Sequence, residues 1–217
     1  WRLLPPSRNF VRRPLHLGQL SSSLFGHLRN PGLLCLFFFA FTCMGGFVTL
    51  YNYVSFRLLG SEFNLSQAQV ALIFLAYAFG AGGSSVMGHL TNRYGRSPML
   101  FSGLGIMTTG LLLTLLPQLF AVVVGIVVFT IGFFGAHAIA SAWVGTLAGQ
   151  SRAQASSLYL FSYYMGSSIS GTGGGFFYGA WGWNGVVTLI AILLGAAFMT
   201  GMKLSRLTQQ PVALKVP

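Results

Sequence analysis

Acidic side chains are all but missing. The 217 residues include one carboxylate, Glu62, against twelve Lys and Arg. That scarcity removes whole reaction classes. Glycoside hydrolysis uses two carboxylates, and a Ser–His–Asp arrangement needs an acid to orient its histidine. No enzyme activity is expected. Cysteine is scarce too. Cys35 and Cys43 lie in one apolar run, about 12 Å apart along a helix, too far for a disulfide. No Cys/His group has metal-ligand spacing, so neither a metal nor another cofactor is expected.

Charge of either sign makes up only 6% of the chain, where soluble domains carry about 25%. Such a chain lacks the means to cover a water-facing surface. Four long windows hold no Asp, Glu, Lys or Arg: 30–56, 63–92, 97–151 and 153–202. A helix crosses a bilayer with about 20 apolar residues. The first two windows therefore hold one span each. The last two hold two each, turning at Pro117-Gln118 and at Gly182-Trp183-Asn184. Spans are expected at 32–56, 66–89, 98–116, 119–147, 154–180 and 185–203. The runs are too long and too evenly apolar for membrane strands, which alternate over about ten residues. The fold class is all-α integral membrane, with six transmembrane helices.

The few basic residues then orient the chain. Arg2, Arg8, Arg12, Arg13 and Arg29 precede the first span, and Arg93 and Arg96 follow the second. Arg152 follows the fourth, and Lys203, Arg206 and Lys215 follow the sixth. These eleven share one side, and Arg57 alone lies opposite, near Glu62. The positive-inside rule puts both termini in the cytoplasm. The net charge of +11 reads as orientation and contact with the lipid bilayer. Nucleic acid is not an expected partner, because no basic domain stands apart from the spans. Residues 18–29, "GQLSSSLFGHLR", put Leu20, Leu24, Phe25 and Leu28 at helical spacing, predicting a short amphipathic helix on the cytoplasmic surface. The expected layout is a linker over 1–31, a bundle over 32–203 and a cytoplasmic tail over 204–217. The opening "WRLLPPSRNFVRRP" lacks the apolar region of a signal peptide and reads as mid-chain sequence.

An internal repeat runs through the spans. Ser66-Gln-Ala-Gln69 opens the second and Ser151-Arg-Ala-Gln154 the fifth. Each tetrapeptide fits a helix-capping box. Each is followed by tyrosine (Tyr77; Tyr163 and Tyr164) and then by a Gly/Ser stretch, "GAGGSSVMG" or "GSSISGTGGG". Three spans separate the copies, so they run in opposite directions. Inverted three-helix repeats mark secondary transporters. The Gly/Ser stretches suit close helix packing, and Gly175 and Gly179 form a small-xxx-small pair. A phosphate-binding loop would need a preceding strand, which is not expected here.

Between the second and third spans stands "GHLTNRYGRSPML". Gly88-x-Leu90-x-Asn92-Arg93-x-Gly95-Arg96 resembles the G-x-L-a-D-R-x-G-R-[RK] signature of the major facilitator superfamily. In that family the signature occupies the cytoplasmic loop between the second and third helices of each six-helix half. The resemblance covers nearly the whole chain. It implies the C-terminal half of a bacterial twelve-helix transporter, of the efflux-type branch, with residues 1–31 as the end of a sixth helix plus the central linker. The signature's Asp is Asn92 here, and its last base is Ser97. The resemblance therefore implies that any charge-based gating lock resides mainly in the other half. Gly88 is expected to bring the second helix close to a neighbour, and Gly95 to adopt positive φ in the turn.

A facilitator binds its solute near the midplane, between halves. Tyr77, His137, Tyr163 and Tyr164 are the polar and aromatic candidates at mid-depth, with Thr49 and Asn52 further out on the first span. His137 titrates near neutrality, so it is a candidate for proton coupling; hydrogen-bonded packing is its other reading. For the tyrosines the alternative is helix packing. No span carries Asp or Glu, which leaves any acidic proton relay to the other half. The expected function is secondary transport of a small solute by alternating access. The expected partners are that solute and the N-terminal half or a second copy. A half-length membrane scaffold that binds partner helices without transport is the rival.

Overall fold

The computed structural model describes residues 17–209. The basic residues Arg2, Arg8, Arg12, Arg13 and Lys215, most of the linker and most of the tail lie outside them. Every element is helical. A short helix, α1 (Leu17–Leu28), leads into α2 (Pro31–Leu59). The join follows helix-end chemistry: Asn30 Oδ1 accepts from the amides of Gly32 (2.9 Å) and Leu33 (3.2 Å), and Pro31 sits where no amide is needed. The next rod is α3 (Gln67–Ala71), a 3-10 turn at Leu72–Leu75, and α4 (Ala76–Tyr94). It starts at the predicted capping box, with Gln69 N donating to Ser66 Oγ (3.3 Å) and Ser66 N to Gln69 Oε1 (2.9 Å). Then come α5 (Arg96–Leu113), α6 (Leu119–Leu147), a 3-10 turn at Gly149–Ser151, and α7 (Arg152–Gln209).

The 58 residues of α7 are not one rod. Gly182 has φ 58° and ψ −144°, a conformation other residues avoid. Packing against α2 shows that the chain reverses there. Along the first arm, Gly166 lies against Phe41, Ser170 against Gly45 and Gly174 against Thr49, so the two helices ascend together. On the second arm, Ile190 meets Gly46 and Leu204 meets Gly32, so the order is reversed. The arms are therefore the fifth and sixth spans. The third is α5, whose 18 residues rise about 27 Å. The second span runs parallel to α6, with Gly80 beside Thr130, Gly83 beside Ile131 and Gly135 beside Met87. It thus descends while the fifth ascends, as an inverted repeat requires.

Lipid does not drive helices together as water does, so small residues carry the close contacts. Gly110 touches the Phe129 backbone, Gly132 that of Met107, and Gly103 meets Ala136. Of the predicted small pair, Gly175 meets Tyr53 of α2 whereas Gly179 has nothing within 4 Å, and the close backbone seam with α2 is made by Gly166, Ser170 and Gly174. Gly88 also meets nothing within 4 Å; Met87 beside it makes the contact. The capping box fails at its second copy, because Ser151 closes a 3-10 turn and its carbonyl accepts from His27 Nε2 (3.2 Å). That bond docks α1, whose His27 is buried while Phe25 and Leu28 stay exposed.

The end away from the basic residues is tied by Arg57. Its Nε donates to Glu62 Oε2 (2.9 Å) and a second nitrogen to Oε1. Its guanidinium also donates to the carbonyls of Thr114 and, at 3.4 Å, Leu116. Trp183 Nε1 reaches the same Thr114 carbonyl (3.0 Å). Arg57 also lies over the Trp183 ring, 5.5 Å from its centroid, so one side chain joins the ends of α2 and α5 to the reversal in α7.

Candidate functional site

Aromatic residues from four rods meet at mid-depth. Phe47 on α2 stacks on Phe133 of α6 with centroids 3.9 Å apart, and lies 4.8 Å from Tyr51. Tyr51 approaches Tyr77 of α4 (5.1 Å), and Tyr77 packs edge-on to Phe134 (5.7 Å). The chain of rings continues from Phe133 to His137 (5.8 Å), from His137 to Tyr163 (4.9 Å), and from Tyr163 to Tyr164 (5.3 Å). Tilted and edge-to-face pairs at such distances are favourable for quadrupolar rings. Side-chain hydrogen bonds fix the wall. Thr130 donates to the Ile126 carbonyl (2.7 Å), so Tyr51 must be the donor in its 2.7 Å bond to Thr130 Oγ1. The Tyr159 hydroxyl and His137 Nδ1 are bonded at 3.1 Å.

Four of the six sequence candidates come together here. Tyr77, His137, Tyr163 and Tyr164 form a continuous surface, with Tyr77 37% and Tyr164 62% exposed; those two are open to a ligand or a partner. Thr49 and Asn52 stand apart. Thr49 is fully buried in the α2–α7 seam, its hydroxyl spent on the Gly45 carbonyl (2.7 Å). Asn52 is exposed beside Gly171. Sequence reasoning missed Phe47, Tyr51, Phe133 and Tyr159. Their signal was present, since Phe47/Tyr51, Phe133/His137 and Tyr159/Tyr163 are pairs four residues apart, which share a helix face. Among the described residues the wall carries no carboxylate and no Lys or Arg.

At the basic end, the loop motif is a tight helix–helix turn. Gly95 has φ 87° and its amide donates to Thr91 O (2.9 Å), closing α4 and opening α5. Arg93 lies over the Tyr94 ring (5.3 Å). Arg96 lines a cleft with Asn92, Ser97, Trp143 and Thr208. Gly88, Asn92 and Arg93 are exposed.

Residues 33–215 match the family model described as Major Facilitator Superfamily. The chain belongs to that superfamily. It is 46% identical over 206 residues to the inner membrane transport protein YnfM of Escherichia coli, covering 95% of this chain and 49% of that protein. It is 43% identical over 208 residues to an uncharacterized MFS-type transporter, YybF, of Bacillus subtilis, covering 96% of this chain and 52% of that protein. An uncharacterized transporter of Buchnera aphidicola from Schizaphis graminum is 41% identical over 203 residues, covering 94% and 49% respectively. The chain spans about half the length of the curated relatives it matches. It is a multi-pass bacterial membrane protein of a transporter family, not an enzyme.

Proposed function

We propose that this chain is the C-terminal bundle of a secondary transporter that moves a small solute by alternating access. The aromatic wall carries the reading. It is built from the first, second, fourth and fifth spans, held by internal hydrogen bonds, and left open along Tyr77 and Tyr164. Uneven burial supports a second bundle. The most apolar stretch of α2 is 72% buried, against 28% in the second span. On that second span Gly82 and Gly88 meet nothing within 4 Å, and bare backbone suits the close approach of another helix. The N-terminal half or a second copy covers this face. Tyr77, His137, Tyr163 and Tyr164 contact the solute, and Asn52 lies at the rim. The His137–Tyr159 pair carries any proton this half handles. The basic end faces the cytoplasm, with α1 on the membrane surface and Gly95 and Arg96 at the moving joint.

Co-expression tests this. The chain is produced with the first half of the Escherichia coli relative, and flux of a panel of sugars, amino acids and organic cations is followed in membrane vesicles. Solute movement with both halves, and none with either alone, is expected. Tyr164→Cys gives a second readout. Native Cys35 and Cys43 are buried, so an impermeant thiol reagent reports on position 164, whose labelling falls when the second half or a transported solute is present. A chain that moves nothing with any partner half favours the scaffold reading.

A further inference from the structure

The sixth span adds nothing to the aromatic wall, yet its basic end carries two cations with no acidic side chain beside them. Lys203 and Arg206 are exposed, three residues apart on one face of α7. The only carboxylate side chain in the sequence, Glu62, is held by Arg57 at the far end. Beside Lys203 runs an apolar cleft of about 330 Å³ between α2 and α7, walled by Leu34, Phe38 and Met199. A second cleft, about 320 Å³, continues past Met199 and Lys203 to Arg206. Leu34, Phe38 and Met199 are 42%, 50% and 62% exposed, so no side chain among the described residues fills the slot. Its shape is an apolar trough running into the membrane, with positive charge at its mouth.

We propose that this is a site for one anionic glycerophospholipid, its phosphate between Lys203 and Arg206 and an acyl chain along Leu34, Phe38 and Met199. Charge complementarity selects the occupant. The mouth offers donors and no acceptor charge, which favours an anionic headgroup over a zwitterionic one, and the trough offers mainly apolar surface to the tail, with the Thr200 hydroxyl spent on the Ala196 carbonyl. The bound lipid bridges the start of α2 and the end of α7. The inference needs only membrane insertion and stands apart from the transport reading.

Native mass spectrometry of the 217-residue chain in nonionic detergent tests it, with palmitoyl-oleoyl phosphatidylglycerol and phosphatidylcholine as probes. One phosphatidylglycerol is expected to bind more tightly than phosphatidylcholine. Arg206→Gln weakens it about fivefold, and Lys203→Gln/Arg206→Gln about thirtyfold, since each interfacial base contributes about a factor of five. Arg152→Gln, a base away from the trough, leaves it unchanged, and Lys203→Arg/Arg206→Lys retains binding, which separates charge from folding. Leu34→Trp fills the trough and weakens both lipids with the charges intact. Four results overturn the proposal: equal affinity for the two lipids, equal loss from Arg152→Gln and Arg206→Gln, displacement by millimolar inorganic phosphate, or a dimer in place of the lipid adduct that Lys203→Gln/Arg206→Gln abolishes.

Discussion

Replacing Arg57 by Met keeps most of the side-chain volume and removes the one group that ties three helix ends together. The guanidinium donates to both Glu62 oxygens and to the carbonyls of Thr114 and Leu116. Arg57 is 8% exposed, so water does not replace these bonds in place. The shares differ. The Glu62 side chain is 44% exposed and turns to solvent when freed, so its pairing contributes at most about 1 kcal/mol. A charged donor to a buried carbonyl is worth about 1.5–3 kcal/mol, and Thr114 keeps Trp183 as a second donor. Arg57→Met is therefore expected to cost about 2–4 kcal/mol, and Glu62→Gln less than about 1 kcal/mol. Reversible unfolding in mixed dodecylmaltoside and dodecyl sulfate micelles, followed by circular dichroism, measures both. Acid tests the same split. The hydrogen bond from Arg57, with its Coulombic attraction, outweighs desolvation and holds the Glu62 carboxyl below its ordinary range. A depressed folded pKa means the contribution is complete above the unfolded value, about 4.3, and is lost as pH falls through the folded one. Stability is thus expected to be flat across neutral pH, and the parent to lose its small advantage over Glu62→Gln only in acid. Arg57→Met within about 0.5 kcal/mol of the parent, or Glu62→Gln as damaging as Arg57→Met, would refute the assignment of the clamp to the backbone carbonyls.

Three further outcomes are expected. Gly166→Leu drives a side chain into the Phe41 backbone and should cost about 3 kcal/mol or more in the same unfolding assay; Gly179→Leu, which meets open space, should cost under about 0.5 kcal/mol. Gly95→Val forces a branched residue to φ 87°, a strain of about 1–3 kcal/mol, and should impair expression-normalised transport more than Asn92→Ala; the reverse ranking would count against the turn as the working part of the motif. His137→Ala should weaken transport or flatten its pH dependence between about pH 5.5 and 8, and an unchanged profile would remove His137 from proton handling.

Much of the architecture was legible because membranes punish charge. Windows without Asp, Glu, Lys or Arg placed the rods, Gly182 marked the reversal inside α7, and Ser66 with Gln69 marked a helix start. Each is a local rule: one cap, one backbone torsion, one span length. The aromatic wall was half legible. Mid-depth position singled out Tyr77, His137, Tyr163 and Tyr164, but depth along a helix says nothing about rotation around it. Thr49 lies within a turn of that depth and is consumed by the seam, whereas Phe47 and Tyr51, on the other face of α2, belong to the wall.

Rotation and partner choice belong to tertiary structure. Gly175 and Gly179 have the same four-residue spacing as Gly166, Ser170 and Gly174. The second set forms the seam with α2, because the crossing of two helices selects which stripe is inside. Ser151 has the residues of a capping box, yet a 3-10 turn and the docking of His27 from α1 take its place. The sequence alone determined a six-span, all-helical membrane chain with all its bases but Arg57 at one end, since insertion depends on composition summed along each segment. Only the folded bundle decided which rings meet, which glycines touch, and which cations stand beside an apolar trough, since those depend on helix faces that come together from distant parts of the chain.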